Sequence, residues 1–223
     1  MSSVKQIFSQ TLWQVLAKAI TSLSSLIIIV AVSRHFGPAE TGMFTQALTY
    51  LSFFYLAVDF GFNAHLLSKL VGESKELEWR KLLGLRILWS GVLIIIALVL
   101  LLVIPIHSLT FDQSVGIAVL AILGSGIFTT SQALFQSKLS YHFATIASLL
   151  GSLVTLISIL SLVMLDSSIP LLFAGHMLGW LCCGGVSVFL AGKIIPKIRP
   201  IFSKSFILTT FKDTWPISLT LLI

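Results

Sequence analysis

Four polar side chains recur at every fourth position within an apolar run near the start of the chain. They are Gln10, Gln14, Lys18 and Ser22. Because residues four apart share one face of an α-helix, this spacing predicts a polar stripe on a helix that is otherwise apolar. An ionised lysine inside a membrane helix costs about 2.5–3.5 kcal/mol, so it tends to face a cavity or a partner. The stripe therefore indicates a polar path that could hold an anion; alternatively, Lys18 extends its ammonium group to the membrane surface.

Two later apolar runs also carry polar residues. One run carries, at spacings of four, three and four, Ser125, Thr129, Gln132 and Gln136. The other carries Gln46, Thr49 and Asp59. Polar residues on several helices predict either a hydrophilic interior or hydrogen bonds between helices. Asp59 is expected to pair with Lys18 or to lie near its helix end, and His176 to relay protons or to be satisfied by a neighbouring backbone or hydroxyl group.

Small residues and cysteines show a second kind of pattern. Gly124 and Gly126 lie together in one apolar run, and a later run contains the G-x-x-x-G pattern of Gly175 and Gly179. We predict that these glycines allow close helix packing. Cys182 and Cys183 are adjacent in an apolar run and offer neither metal-ligand spacing nor a disulfide framework, so we interpret them as small buried hydrophobic residues.

Motifs that carry hydrolysis or group transfer are missing from the sequence. It has no G-x-S-x-G, no H-E-x-x-H, no Walker loop and no pair of carboxylates in one polar loop. We therefore predict a protein that is not an enzyme and that uses no metal or cofactor.

The elements that must position the polar stripes are membrane helices. Hydrophobic residues make up 57% and charged residues 10% of the chain, against roughly 45–50% and about 25% in soluble domains. Apolar runs of about 20 residues recur, which is the length of helix that crosses about 30 Å of hydrocarbon. The runs are continuously apolar, whereas barrel strands show alternating hydrophobicity, which favours helices over a barrel. We predict an all-α polytopic transmembrane bundle whose spans are 12–33, 43–64, 87–106, 114–135, 143–165 and 169–191, with a seventh opening near Trp215.

Charge distribution predicts the orientation of this bundle. The net charge is +6, but the basic residues lie between apolar runs rather than on a soluble face with interleaved aromatics, so nucleic acid is not an expected partner. With a cytoplasmic N-terminus, twelve lysines and arginines fall inside and Arg34 alone falls outside. The connections at 73–86 and 193–212 mix basic and apolar residues, which favours interfacial helices over solvated loops in the second case and leaves both open in the first.

Domain organisation follows from the same segmentation. We expect a six-helix transmembrane lobe at 1–191, a cytoplasmic interfacial connector at 192–213 and the start of a seventh span at 214–223. The nine residues from Trp215 to Ile223 reach only about 14 Å as a helix, which is less than half of the hydrocarbon thickness. We therefore expect that the sequence stops inside a span and is a fragment.

Two motifs at the ends of the second predicted span resemble a known family. Residues 34–44 (RHFGPAETGMF) resemble the R-x-L-G-P-x-x-Y-G-x-F signature of polysaccharide and O-antigen flippases, which belong to the multidrug/oligosaccharidyl-lipid/polysaccharide exporter superfamily. Phe36 and Thr41 replace the usual leucine and tyrosine, whereas the glycines and the proline remain. Residues 59–64 (DFGFNA), followed by Lys69, are similar to the family's D-x-G-x-x-x segment and the basic residue after it. The likeness in helix order and loop length covers the whole chain.

The resemblance implies a function and a set of site residues. Family members are similar to two six-helix lobes around a central cavity, and residues 211–216 (FKDTWP) resemble the entry to the seventh helix, so the chain resembles an N-terminal lobe. The implied function is to flip a lipid-linked oligosaccharide or polysaccharide precursor, carried on undecaprenyl pyrophosphate, across the bacterial inner membrane by alternating access. Membrane lipids and a polysaccharide polymerase are the implied partners. Expected substrate-binding residues are Lys18, Gln14, Gln46, Gln132 and Asp59. Expected structural and gating positions are Arg34, Gly37, Pro38, Gly42, Gly61 and Lys69.

Two alternatives to a flippase stay open at this point. One is a drug or cation antiporter of the same superfamily, in which Asp59 or His176 would bind a proton or cation. The other is a non-transporting membrane scaffold for a glycan-assembly complex.

Overall fold

A computed structural model describes residues 3–63, 75–104 and 108–222, and the elements in these ranges are helices. They are α1 (Ser3–Asp59), α2 (Lys75–Val103), α3 (Leu109–Ala118), α4 (Ala121–Ser137), α5 (Tyr141–Met164), α6 (Ile169–Ala191) and α7 (Lys204–Leu222). The all-α prediction is confirmed.

Five helical segments in the described ranges are long and apolar enough to cross a membrane. They are Thr11–Asp59, Glu76–Val103, Leu109–Ser137, Tyr141–Met164 and Ile169–Ala191. This is one fewer than the six predicted spans, because the first two predicted spans lie in the single helix α1. The protein is therefore a multi-pass helical membrane protein.

Helix α1 is interrupted at one residue, Gly37, whose backbone angles are φ 83° and ψ 178°. This combination is accessible essentially only to glycine, because a Cβ would collide with the backbone. Pro38 follows directly, where its fixed φ suits the first turn of a new helix and its missing N–H leaves no bond unmade. The break divides α1 into a first arm, residues 3–36, and a second arm, residues 38–59.

Contacts with α5 and α6 show that the two arms run in opposite directions. The first arm is parallel to α5, because Thr145 donates a hydrogen bond to the Trp13 carbonyl near one end and His35 lies 2.7 Å from the Asp166 carboxylate at the other. The second arm runs alongside α6, as Phe44 packs on Phe173 and Tyr55 packs on Trp180. Since α5 and α6 are antiparallel across a short turn, α1 forms a hairpin whose reversal is the Gly37 break.

Glycines set the close approach of α6 to its neighbours. A Cβ on Gly179 would lie 2.8 Å from the Gly151 carbonyl oxygen of α5, and one on Gly184 would lie 2.8 Å from the Gly124 carbonyl oxygen of α4. Gly175 is similarly covered by Ser158 and Ile159. Close packing, as predicted for Gly124, Gly175 and Gly179, is confirmed.

Residues 192–203 form a strap that crosses the start of α2. The Ile201 N–H donates to the Arg80 carbonyl oxygen at 3.0 Å, and Arg80 Nε donates to the Arg199 carbonyl oxygen at 2.9 Å. Gly84 lies directly beneath the Ile201 backbone, where a side chain would not fit. Residues 75–86 of the first predicted connection are the beginning of α2, and residues 73–74 lie outside the described ranges. Helix α7 is continuous from residue 204 across residues 213 and 214, and the predicted boundary between connector and seventh span stays a prediction.

Gly37→Ala is expected to destabilise the protein by about 1–3 kcal/mol, because alanine cannot adopt the backbone angles of the break without strain. Gly42, only five residues later, is a matched control: it lies in regular helix, and its Cβ position is open. Gly42→Ala is therefore expected to be neutral or slightly stabilising. Thermal unfolding of the purified variants in one detergent measures both effects, and equal stability of the two variants would contradict the assigned strain.

Candidate functional site

Two adjoining cavities lie where the first arm of α1 meets α4 and α5. The first cavity has a volume of about 480 Å³ and extends to α6 and the second arm, and the second has a volume of about 460 Å³. Both are lined by Lys18, Thr21, Phe128 and Ser148. Lys18 is the only lysine, arginine, aspartate or glutamate among their described lining residues. The volumes lie within the range of about 300–1,000 Å³ that is usual for small-molecule sites.

Three of the five predicted substrate-binding residues come together here. Gln14 and Lys18 lie one helical turn apart on the first arm, and Gln132 comes from α4 to line the second cavity with them. Thr21 rather than Ser22 continues the lining along the first arm. The side chain of Gln10, the first residue of the predicted stripe, lies outside the described part of the chain.

The other two predicted substrate-binding residues lie elsewhere. Gln46 is exposed on the second arm and lines neither cavity. Asp59, at the end of the same arm, accepts hydrogen bonds from Arg86, so it has this partner rather than Lys18. Their predicted role in substrate binding stays a prediction.

His176 lines the first cavity and has a hydroxyl partner. The Tyr55 hydroxyl lies 2.9 Å from His176 Nε2, and the Tyr55 ring packs on Trp180 with 5.0 Å between ring centroids. Of the two readings left open for this histidine, the geometry matches the one in which a neighbouring hydroxyl satisfies the imidazole.

Hydroxyl groups make up much of the polar wall of the first cavity. Those that line it are Thr21, Ser24, Ser25, Ser148, Ser152 and Thr155. Each donates a hydrogen bond of 2.9–3.1 Å to a carbonyl oxygen three or four residues earlier in its own helix. Such bonds leave no hydroxyl donor unsatisfied inside a membrane bundle.

A buried arginine close to Asp59 forms a separate polar network. The Arg86 side chain is 0% exposed; it donates to the Val58 carbonyl oxygen at 2.7 Å, to Asp59 Oδ1 at 3.2 Å and to Asn63 Oδ1 at 2.8 Å. Sequence reasoning missed this residue, since a basic residue at the edge of an apolar run was assigned to a cytoplasmic connection. The sequence did contain a signal for this pairing, since the acidic Asp59 lies at the end of the neighbouring span.

Aromatic rings cover this Arg86 network. Phe60, Phe62, Trp89 and Phe211 of α7 pack on one another, most pairs having centroids 5.2–5.6 Å apart. The Phe62 ring also lies 5.3 Å from the Arg86 guanidinium carbon. Phe60 and Gly61 both have positive φ, 42° and 71°, so the predicted structural residue Gly61 sits in the turn that carries these rings. The network with its cover is a structural joint between α1, α2 and α7.

The remaining predicted structural positions cluster at the other end of α1. Gly37 and Pro38 form the break, Arg34 is exposed just before it, and Gly42 is exposed just after it. Lys69 lies outside the described residues. A gating role for any of these positions stays a prediction.

The helical bundle defines a multi-pass membrane protein, and its two adjoining cavities are a candidate small-molecule site between the helices. A family model described as polysaccharide biosynthesis protein matches residues 7–223, nearly the entire chain. The chain therefore belongs to the polysaccharide biosynthesis protein family. No curated protein and no solved structure matches it.

Proposed function

We propose that this member of the polysaccharide biosynthesis family is a flippase that moves a lipid-linked oligosaccharide across the bacterial inner membrane. One observation carries the proposal: Lys18 lines both adjoining cavities and is the only lysine, arginine, aspartate or glutamate among their described lining residues. A cation kept at such a site is typical of a binding path for an anionic group.

The cavity chemistry suits a glycan joined to a pyrophosphate. An ammonium group binds phosphate oxygens strongly where water is scarce, because the attraction is less screened than in bulk water. The amides of Gln14 and Gln132, which line the second cavity beside Lys18, can both donate to and accept from sugar hydroxyls. These residues therefore support a polyprenyl-pyrophosphate-linked glycan as the substrate class. A polysaccharide polymerase would then act on the glycan once it has been moved across the membrane.

Transport rather than bond chemistry is the proposed activity. Alternating access would expose Lys18 first to the cytoplasmic and then to the outer leaflet, so the protein would act without a cofactor. The proposed orientation has a cytoplasmic N-terminus, in line with the basic residues of the connections.

Lys18→Ala is expected to reduce surface polysaccharide by about tenfold or more, because a charge-assisted hydrogen bond is worth about 1.5–3 kcal/mol. The complete product of the gene is expressed in a bacterium that lacks its own glycan flippase, together with compatible glycan genes. Lys138→Ala is the matched control, since Lys138 is exposed and lines neither cavity. Lys18→Arg, which keeps the charge, should restore part of the export.

Three results separate the competing functions when membrane abundance is equal. Loss of export in Lys18→Ala, with lipid-linked glycan accumulating inside the cell, supports the flippase. Export that is unchanged in Lys18→Ala supports transport that does not depend on Lys18 and overturns the role assigned to this residue, because a scaffold alone could not replace the missing flippase. Absence of export by the well-inserted wild type, combined with a pH- or sodium-dependent drug-resistance phenotype, supports an antiporter.

A further inference from the structure

The strap between α6 and α7 carries basic side chains but no acidic ones. Lys193, Lys197 and Arg199 are exposed, and residues 192–203 contain no aspartate or glutamate. The two acidic residues in the first turn of α2, which the strap crosses, are each paired with a basic residue of α2 itself. Within the described ranges, none of the three strap cations forms an ion pair with a carboxylate. Their charge is therefore left for a partner outside the chain.

The course of the strap brings the three cations into one patch. Ile198 lies against the end of α6, because a Cβ on Gly192 would lie 3.6 Å from Ile198 Cγ2. Lys197 and Arg199 flank Ile198, and Lys193 follows Gly192 directly. The backbones of the three basic residues are therefore close together, and we call Lys193, Lys197 and Arg199 the basic patch.

The strap that presents the basic patch is fixed to the bundle. Arg80 holds it at two points, through the hydrogen bonds with the Ile201 N–H and the Arg199 carbonyl oxygen. Ile195 is buried in the same apolar cluster as Trp79 of α2. A ligand of the patch thus meets a backbone that is already ordered, which lowers the entropic cost of binding.

Exposed apolar side chains adjoin the basic patch at the end of a membrane span. Phe189 belongs to the span Ile169–Ala191 and is 67% exposed, so its ring faces lipid chains in a bilayer. The Lys193 ammonium lies 5.5 Å from the centre of this ring. Phe202, near the other end of the strap, is 58% exposed. The patch therefore lies at the level where acyl chains meet headgroups.

This combination of charge and apolar surface selects among anionic partners. An acidic soluble protein would bring carboxylates to the cations but would not reach the exposed rings beside the lipid chains. A phospholipid brings a phosphate and hydrocarbon chains in one molecule. Basic residues directly beyond a span, together with exposed aromatic and aliphatic side chains, are typical of sites for anionic headgroups.

We infer that the basic patch binds an anionic phospholipid of the surrounding bilayer. The cations of the patch contact the phosphate, and the acyl chains lie along Phe189 and the outer side of α6. None of the patch residues lines either cavity, so this lipid site is separate from the site of Lys18. The inference does not rest on the proposed flippase function.

The test compares two phospholipids that differ in headgroup charge. The full chain, purified in a neutral detergent, is titrated with phosphatidylglycerol or with phosphatidylcholine of the same acyl chains, and bound lipids are counted by native mass spectrometry. The first phosphatidylglycerol should bind about tenfold or more tightly than the first phosphatidylcholine, since each basic residue near an anionic lipid contributes about fivefold. A higher concentration of ammonium acetate should reduce this preference, because exposed charges are screened.

Two variants that remove the same charges locate the binding on the strap. The patch variant combines Lys193→Gln, Lys197→Gln and Arg199→Gln. It should lower the preference for phosphatidylglycerol about tenfold. The scattered variant removes one arginine and two lysines from exposed positions outside the strap, and combines Arg34→Gln, Lys138→Gln and Lys212→Gln. It should keep the preference, as should a charge-conserving variant that combines Lys193→Arg, Lys197→Arg and Arg199→Lys.

Three results would overturn the inference. The first is equal affinity of the wild type for the two phospholipids, and the second is an equal loss of preference in the patch and scattered variants. The third is binding of undecaprenyl pyrophosphate that depends on the patch while binding of phosphatidylglycerol does not, which would assign the patch to a carrier lipid. The comparison of the two phospholipids needs no variant, so a folding defect in the patch variant leaves the test decisive.

Discussion

Arg86→Ala is expected to destabilise the protein by about 3 kcal/mol or more, because three oxygen atoms lose the donor that the fully buried Arg86 supplies, at about 1–3 kcal/mol for each acceptor left without a partner. The substitution deprives the Asp59 carboxylate, the Asn63 amide oxygen and the Val58 carbonyl oxygen of their shared donor. It also removes the cation beneath the Phe62 ring. The measurement is thermal unfolding in detergent, together with the amount of protein that reaches the membrane.

Two further variants test whether the loss of stability comes from the Arg86 hydrogen bonds rather than from the removal of any basic residue. Lys81→Ala removes a cation from the same helix whose ammonium donates to a carboxylate of one residue, Glu78, whereas Arg86 donates to three residues, so it should lower stability less than Arg86→Ala does. Arg86→Met combined with Asp59→Leu removes both charges and should recover part of the stability lost in Arg86→Ala. If Arg86→Ala were as stable as Lys81→Ala, the joint would not have the structural importance assigned to it.

Gly179→Leu is expected to separate α5 from α6 and to lower stability by about 3 kcal/mol or more, since overpacking a close helix contact forces backbone shifts. Already the first carbon of a side chain at this position would lie 2.8 Å from the Gly151 carbonyl oxygen and 2.9 Å from Thr155 Cβ. Thermal unfolding and the elution profile of the detergent-solubilised protein report the effect.

Gly185 offers a matched control on the same helix. It is exposed, and nothing lies within 4 Å of its Cβ position. Gly185→Leu should therefore be tolerated. Leucine also has a greater helix propensity than glycine, which favours the substituted helix. If both variants lost the same amount of stability, the contact with α5 would not be the cause. Replacement of any glycine in α6 would then be destabilising.

The helical class and most spans could be predicted from the sequence because hydropathy depends on local composition. The α1 hairpin shows the limit of this approach: the sequence predicts two spans, 12–33 and 43–64, but not that helical hydrogen bonding would continue up to a single reversing residue, Gly37. The glycine contacts of α6 were also predictable, since close packing depends on residue size.

The candidate site was only partly predictable, because periodicity places residues on one face without saying which way that face points. Gln14, Lys18 and Gln132 line the cavities, whereas Gln46, chosen by the same reasoning, lines neither of them. The Arg86 network was missed for a related reason. A hydropathy pattern predicts that a charged residue at the edge of a span lies in water, unless its partner in the bundle is known. That partner, Asp59, is 27 residues away and becomes visible only in three dimensions.

The Arg86 joint has a consequence for the order in which the protein is made. The groups that accept hydrogen bonds from the guanidinium, at Val58, Asp59 and Asn63, precede Arg86 in the chain, so they leave the ribosome before it does. Phe211, which completes the aromatic cover, follows Arg86 by 125 residues, or roughly 6–25 s at translation rates of about 5–20 residues per second. The charge thus enters the bilayer with its hydrogen-bond partners already present, and the ring that covers them from α7 arrives last.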